Sequence, residues 1–450
     1  MEIKIYGNYG QTMILKKIKI DKIIYKGNGL GTYQGKKVFI PYTYPGDIVD
    51  GQLLSEKKDY YKALPVKLHD FKIKRIPSPC SVFKQCGGCN MLDVEYFQQC
   101  KLKKQVIEDI YPEYKQLINN TVASPQKDCY RNKVFFPVTK RDNQIVFGMF
   151  KNLSHTVVSA AQCKLVSPRL LEIAQEVCNH LNQVNEVVYD EKSLKGNIRH
   201  IGLRINSKQE VMVIIVTNKS KLAFTNTLMK TLTMKYPQVV SIVQNINKFD
   251  TNNILGDHEK VLYGKTYFID EIEDKQYKVN YQSFFQVNRK LTELIYKQIR
   301  ADVDLNSNVL DAYSGVSTIG LYLADRANLV VSVESNEWAV KDAQYNIKLN
   351  NCNNIGVIKA NLEDKFEELI EKYRIDTIVF DPPRKGLNAN IRNLIKTSNV
   401  RKIIYLSCNP ATQKRDVHDF INAGFKIIKM IPYDMFPHTY HIENYALLVR

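Results

Sequence analysis

The sequence predicts a multidomain chain: a small β-barrel, then a central α+β domain, then an α/β domain built on a doubly wound parallel sheet. Three observations carry this. The first 70 residues are short alternating strands broken by glycine and proline, and three cysteines then fall within ten residues at the head of a mixed region. Beyond residue 283, short apolar runs alternate with helix-length polar segments. A chain of 450 residues holds about three domains at ~150 residues each. The boundaries read as 11–68, 75–282 and 283–450.

The barrel is predicted from Gln11 to Lys67. Apolar and polar residues alternate from Met13 to Ile20, and further runs such as Lys37-Val38-Phe39-Ile40 follow at hairpin spacing. Gly27, Gly29, Gly31, Gly35, Pro41, Pro45 and Gly46 mark the turns. Residues 1–75 hold 15 Lys+Arg against 7 Asp+Glu, so a net +8 of the chain's +18 lies in its first sixth. A basic, aromatic-bearing small barrel is a shape that binds single-stranded nucleic acid. The whole-chain excess of 64 Lys+Arg over 46 Asp+Glu likewise favours a polyanionic partner, nucleic acid first, over the plainer reading of a solvated lysine-rich surface.

Between Met1 and Ile20, lysines 4, 16, 17 and 19 interrupt every apolar run, so no signal-peptide core is present. No run reaches the ~18 apolar residues of a membrane span. A cytoplasmic protein is expected. Nine cysteines are too few and too unevenly placed for a secreted disulfide framework, which points to metal or catalytic use.

Cys80, Cys86 and Cys89, with Gly87-Gly88 letting the backbone wrap between the last two, present several thiolates to one metal centre. A fourth ligand is needed, and Cys100, Cys129 and Cys163 are available. A structural zinc site pairs its cysteines as two short-spaced couples, and no second couple exists here. Radical-generating iron-sulfur enzymes use Cys-x3-Cys-x2-Cys, whereas this spacing is five then two. From Lys101 to Gln282, runs at 133–138, 145–150 and 210–216 read as strands, and Asn245 to Asp257 as a loop. Tyr130-Arg131-Asn132-Lys133 and Asn197-Ile198-Arg199-His200-Ile201 are basic stretches that fit either an RNA contact or an exposed strand edge.

The third region is the most legible. Asn308 to Ala312 is a strand that runs through Tyr313-Ser314-Gly315-Val316-Ser317-Thr318 into a helix from Ile319 to Ala324, the first βα turn of a nucleotide-binding fold. The next strand ends in Glu334, 23 residues after Asp311, about the separation at which a carboxylate accepts ribose hydroxyls. Further strand ends fall at Ala360-Asn361, at Phe380-Asp381-Pro382-Pro383 and at Cys408. With no Gly-x-Gly-x-x-Gly and no Walker A sequence, a single-nucleoside cofactor such as S-adenosylmethionine (SAM) fits better than a dinucleotide. The buried run Lys402 to Leu406 delivers Cys408 into a Ser-Cys-Asn-Pro turn before a helix from Ala411 to Ala423. There a thiol faces the substrate crevice. A lone cysteine is more often an inert filler, and the rest of the chain reverses that reading here.

Six blocks occur together and in order: Ser283-Phe284-Phe285-Gln286-Val287-Asn288, Asp311-Ala312-Tyr313-Ser314-Gly315, Asp381-Pro382-Pro383-Arg384-Lys385-Gly386, Leu406 to Thr412, Asp434 to Thr439, and Ile442-Glu443. They resemble the RNA uracil-5-methyltransferase family across nearly the whole chain. Tyr25-Lys26-Gly27-Asn28-Gly29-Leu30-Gly31 with Val38 to Pro41 and Pro45-Gly46-Asp47 resembles a TRAM domain, an OB-like RNA-binding barrel. The branch carrying TRAM and an iron-sulfur cluster acts mainly on 23S rRNA, while relatives modify the T-loop of tRNA.

The resemblance implies a Rossmann-like SAM methyltransferase domain, with Gln286, Tyr313, Thr318, Glu334, Asn361 and Asp381 lining the SAM pocket. It implies Cys408 as nucleophile, Glu443 as general base, and Cys80, Cys86, Cys89 and Cys163 as ligands of a [4Fe-4S] cluster. Nothing in the residues calls for more than a monomer. Ser317 departs from the family, which usually has glycine there; if the site needs positive φ, serine strains the turn and weakens SAM binding. A non-catalytic RNA-binding protein with a retired fold would explain Ser317, but not the presence of both thiol and carboxylate. An amino-directed methyltransferase would want an aromatic where Arg384 stands and has no need of Cys408.

Overall fold

The computed structural model describes residues 13–152, 154–223, 225–249 and 253–450. Gln11 and Thr12 of the predicted barrel, the first 12 residues of the stretch read for a leader, and 250–252 of the predicted loop lie outside them. The chain divides into two compact units, one running up to Lys127 and resuming at Asp381–Arg450, the other Asp128–Phe380.

The first unit opens with β1 (Ile14–Ile23), β2 (Asn28–Tyr33), β3 (Lys36–Pro41), β4 (Ile48–Glu56) and β5 (Tyr60–Asp70), which close into a barrel in the order β1-β2-β3-β5-β4. All neighbours are antiparallel except β3 and β5, so the barrel is OB-like. Alternation turns Leu15, Ile18, Ile20, Val38, Ile40, Val49 and Leu68 inward. It leaves Lys16, Lys17, Lys19 and Lys22 outside. Gly31 is required by close approach, since a Cβ there would stand 2.3 Å from the Lys19 carbonyl oxygen. The cysteine loop follows, then α1 (Tyr96–Ile110).

The second unit contains β6 (Lys133–Arg141), β7 (Gln144–Phe150), β8 (Val157–Ser159), α2 (Pro168–Gln183), β9 (Ile198–Ile205), β10 (Val211–Thr217), α3 (Thr225–Lys235), β11 (Val239–Ile246) and β12 (His258–Gly264). The strands form one sheet in the order β12-β11-β10-β9-β6-β7-β8. β10 reads Val-Met-Val-Ile-Ile-Val-Thr and is buried throughout, as a strand covered on both faces must be. Along α2, Leu170, Ile173, Ala174, Val177, Cys178 and Leu181 recur at helical spacing and enter the same core. Burial of a leucine or isoleucine there stabilises by about 1.5–3 kcal/mol.

The hairpin β13 (Tyr267–Ile272) and β14 (Lys275–Asn280) leads into α4 (Arg289–Asp302), β15 (Asn308–Ala312), α5 (Thr318–Leu323), β16 (Leu329–Glu334), α6 (Glu337–Leu349), β17 (Ile355–Lys359), α7 (Leu362–Lys372) and β18 (Thr377–Phe380). β17, β16, β15 and β18 pair in that order, all parallel, which is the predicted Rossmann-like arrangement. The chain then re-enters the first unit with α8 (Ala389–Thr397), β19 (Lys402–Ser407), α9 (Pro410–Asn422), β20 (Lys426–Tyr433) and β21 (Glu443–Val449); β21 lies antiparallel between β19 and β20.

Both ambiguous basic stretches turn inward within the second unit. The Asn132 N–H donates to the Val287 carbonyl (3.0 Å) and its Nδ2 to the Gln286 carbonyl (2.9 Å), so this segment fixes the backbone of Gln286. Arg199 is buried and donates to the carbonyls of Asn247 (2.9 Å) and Phe249 (2.8 Å), with its guanidinium over the Tyr189 ring. Neither is the exposed edge the sequence allowed. The loop expected from Asn245 begins later, because β11 runs on to Ile246.

Candidate active site

Cys408 and Glu443 both belong to the first unit, at the adjoining ends of β19 and β21, where Ser407 pairs with Asn444. The apolar run Ile403-Ile404-Tyr405-Leu406 is buried, and α9 begins at Pro410, so Cys408 is held between a rigid strand and a proline-initiated helix. The turn is tied at three points. Ser407 Oγ accepts the Asn409 N–H (3.1 Å), Asn409 Nδ2 donates to the Arg384 carbonyl (2.9 Å), and Thr412 Oγ1 donates to the same oxygen (3.2 Å).

The Asp381-Pro382-Pro383-Arg384-Lys385-Gly386 loop is thereby fixed against the cysteine turn. Gly386 has φ +73°, and a Cβ on it would meet Asp416 Oδ2 at 2.6 Å. That buried oxygen accepts the Leu387 N–H (2.8 Å) and the Tyr405 hydroxyl (2.6 Å), while Oδ1 pairs with Arg415 at 2.7 Å. Asp416 is the post on which the loop hangs.

The electrostatics couple four groups. Burial, the Glu443 carboxylate and Asp381 push the Cys408 thiol up to about 11, opposed by the charge and hydrogen bond of Arg384. Glu443 is 4 % exposed, and burial with the neighbouring Asp381 carboxylate raises it well above the usual carboxylate range, again against Arg384. Its Oε1 has no hydrogen-bond partner among the described residues. A thiol, a buried carboxyl and one guanidinium acting on both are the parts of a nucleophile and a proton acceptor. Sequence reasoning noted Arg384 only for what it was not; its place directly after Asp-Pro-Pro was the available signal.

The segment leading to Glu443 is anchored at both sides. Buried Lys103 on α1 pairs with buried Asp434 and donates to the Phe436 carbonyl (3.2 Å). His438, at φ +67°, donates its N–H to Gln99 Oε1 (3.0 Å), and its carbonyl accepts the Asn90 (2.9 Å) and Met91 (3.1 Å) N–H groups, just beyond the cysteine loop.

Gln286, Tyr313, Thr318, Glu334 and Asn361 lie in the second unit, Asp381 in the first. In the turn between β15 and α5, Tyr313, Gly315 and Ser317 all have positive φ (61°, 56° and 62°). Ser317 is therefore in the left-handed region, the condition under which serine in place of the family's usual glycine is expected to strain the turn. It is fully buried, and its hydroxyl meets Ser332 Oγ at 2.7 Å, which in turn donates to Asp311 Oδ2 (3.2 Å). The same oxygen accepts the Gly320 N–H at 2.9 Å.

Glu334 closes β16 with Oε2 accepting the Gly315 N–H (3.0 Å) and Oε1 the Asn336 N–H (2.7 Å), which leaves further lone pairs for ribose hydroxyls. A Cβ on Gly315 would meet nothing within 4 Å, so the turn opens onto free space beside that carboxylate. These features fit a nucleoside. Thr318 Oγ1 accepts the Tyr296 hydroxyl (2.8 Å), Tyr313 reaches Glu363 (3.4 Å), and exposed Asn361 stands at the N-terminal end of α7 with its Nδ2 donating to Asp364 (3.2 Å).

Cys80, Cys86 and Cys89 are half-buried on an irregular loop, with the Gly88 N–H donating to Cys86 Sγ at 3.3 Å. Cys163 lies in the second unit against its core. Among the described residues no three His, Cys, Asp or Glu side chains are gathered to hold a metal ion.

The sequence profile described as tRNA (Uracil-5-)-methyltransferase matches residues 95–450. The chain belongs to the tRNA (uracil-5-)-methyltransferase family. An RNA methyltransferase of Fusobacterium nucleatum, described as uncharacterised, is 34% identical over 442 residues, covering 96% of this chain and 95% of its own. One from Staphylococcus aureus is 32% identical over 438 residues, covering 94% and 96%. Among solved structures, the Pyrococcus abyssi tRNA (uracil-54, C5)-methyltransferase in complex with S-adenosyl-L-homocysteine is 25% identical, with a TM-score of 0.78 over 96% of this chain and 100% of that one. This family member is an RNA uracil-5-methyltransferase that uses SAM. Among the described residues, none of its helices is long and apolar enough to cross a membrane.

Proposed function

We propose that the enzyme methylates carbon 5 of one uridine in 23S rRNA through a covalent bond between Cys408 and carbon 6. Uracil carbon 5 is a weak nucleophile, so the Cys408 thiolate adds to carbon 6 and moves electron density onto it. SAM, when bound, supplies an electrophilic methyl group on its sulfonium. The ionised form of Glu443, which Arg384 favours against burial and Asp381, then takes the proton from carbon 5, and elimination returns the electron pair of the carbon–sulfur bond to Cys408 and restores the ring double bond. Arg384 opposes the burial and the Glu443 and Asp381 charges that raise the thiol, and so favours the thiolate on which the first step depends. Carbon 6 is inaccessible in a base stack, so the target is flipped out or unpaired.

The observation that carries this reading is that Cys408 and buried Glu443 stand at the adjoining ends of β19 and β21, with the Arg384 backbone tied to the cysteine turn. Glu334, held by the Gly315 N–H, supports ribose recognition, with Gln286, Tyr313, Thr318, Asn361 and Asp381 completing the SAM pocket. The barrel, with exposed lysines and the half-buried Phe39–Tyr60 ring pair, is proposed to bind RNA in the cytoplasm. Cys80, Cys86, Cys89 and Cys163 are proposed as [4Fe-4S] ligands, the first three on thiol chemistry and spacing and Cys163 on the family resemblance alone, and no catalytic step runs through the cluster.

The preference for 23S rRNA rests on the TRAM-like barrel and the cysteine spacing. The tRNA T-loop is the second reading, favoured by the likeness to the Pyrococcus abyssi tRNA (uracil-54, C5)-methyltransferase. Transfer of labelled methyl from SAM to rRNA and tRNA lacking 5-methyluridine, with the product mapped, decides between them. Label in 23S rRNA that vanishes in Cys408→Ala supports the proposal. Label in tRNA keeps the chemistry and overturns the substrate, and none in either overturns both.

A further inference from the structure

The family profile begins at residue 95, so it assigns nothing to the barrel. Yet within the first unit the tip of the β1–β2 turn reaches the nucleophile. The Tyr25 hydroxyl donates to the Cys408 carbonyl at 2.9 Å across 383 residues of sequence. Its ring meets Tyr440 edge-on with centroids 6.4 Å apart, and Tyr440 stands three residues before Glu443. Gly27, at φ +76°, brings the turn so close that a Cβ would lie 2.8 Å from the Tyr440 Cβ.

We infer that Tyr25 is a positioning residue for methyl transfer: the barrel fixes the Cys408 turn and the approach to Glu443 in addition to any contact it makes with RNA. This rests on the proposed role of Cys408. The Cys408 carbonyl lies between the end of β19 and the start of α9, so its donor sets the peptide plane from which the thiol projects. The turn's other ties hold Ser407, Asn409 and Arg384. Tyr25 is half-buried, and burial together with the neighbouring Cys408 raises its phenol to about 12, so it remains a donor through the working pH range.

The test uses the full-length enzyme with Tyr25→Phe, which keeps the ring and removes the donor, and Tyr25→Leu, which removes both. The first readout is kcat and KM for RNA. The second needs no methylation: the rate at which iodoacetamide labels Cys408, followed by peptide mass spectrometry with Cys352 of the second unit as internal reference. Tyr25→Phe should lower kcat about tenfold, the kinetic weight of one hydrogen bond, with KM within about twofold. Its Cys408 should label about threefold faster or more, because a loosened turn hydrates the thiolate. Tyr25→Leu should exceed both effects.

A change in KM alone would make the barrel a pure RNA contact and overturn the inference, as would unchanged Cys408 labelling. If the wild type methylates no uracil, the functional reading fails separately, and the labelling rate still decides whether Tyr25 positions Cys408.

Discussion

Ser317→Gly restores the usual family residue at a left-handed position, yet the structure predicts little gain. Left-handed backbone costs a non-glycine residue about 1–2 kcal/mol, which glycine recovers. Against this stand the lost 2.7 Å bond to Ser332 Oγ, net about 1 kcal/mol, and the greater freedom of glycine in the unfolded chain, about 0.5–1 kcal/mol. The terms nearly cancel. In a Ser332→Ala background the serine hydroxyl has lost that partner, so the same substitution should be more favourable by about 1 kcal/mol. Hydrogen exchange of the buried β15 and β16 amides across a urea titration follows this fold specifically. SAM affinity should stay within about threefold in all four proteins, because the turn keeps its path. A coupling below about 0.3 kcal/mol, or a tenfold tighter SAM complex in Ser317→Gly, would refute the compensation by Ser332.

Arg384→Gln removes the charge that opposes the rise at Cys408. The thiol should move further above about 11, so kcat/KM at pH 7.5 should fall at least tenfold and recover partly at higher pH, with Arg384→Lys intermediate. A fall independent of pH would assign Arg384 elsewhere. Asp311 is buried and its carboxyl is raised from 3.8 to about 7, chiefly by desolvation. Its folded pKa lies above the unfolded one, so its contribution to stability is full below pH 4 and lost as pH rises through about 7. Asp311→Asn should flatten the decline in melting temperature of the second unit across that window, and an unchanged slope would count against the buried acid. Anaerobically purified protein should hold about four iron and four sulfide per chain and lose them in Cys86→Ser; zinc, or no metal, would overturn the cluster proposal.

Most of the C-terminal architecture was legible because its signals are local. Strand runs such as Leu329-Val330-Val331 sit between helix-length segments, and Cys408 ends an apolar run at a proline, so both element type and thiol placement followed from neighbouring residues. A positive φ at Ser317 entered only as a condition, from the glycine usual in the family, and Ser332 as its partner was illegible, since that contact joins the turn before α5 to β16. The inward turn of Arg199 was illegible for a different reason. Its acceptors are backbone carbonyls at 247 and 249, and carbonyls leave no trace in a sequence. Tyr25 was read as part of a barrel pattern; its bond to the Cys408 carbonyl spans 383 residues.

The proposed covalent bond from Cys408 to uracil can be trapped directly. RNA carrying 5-fluorouridine has no proton at carbon 5 for Glu443 to remove, so the methylated adduct cannot eliminate. Incubation with SAM should give a protein–RNA band stable to denaturation, with mass spectrometry placing the modified nucleotide on the peptide containing Cys408. The band should be absent without SAM and absent in Cys408→Ala. An adduct on another cysteine, or full methyl transfer to normal RNA by Cys408→Ala, would contradict the mechanism.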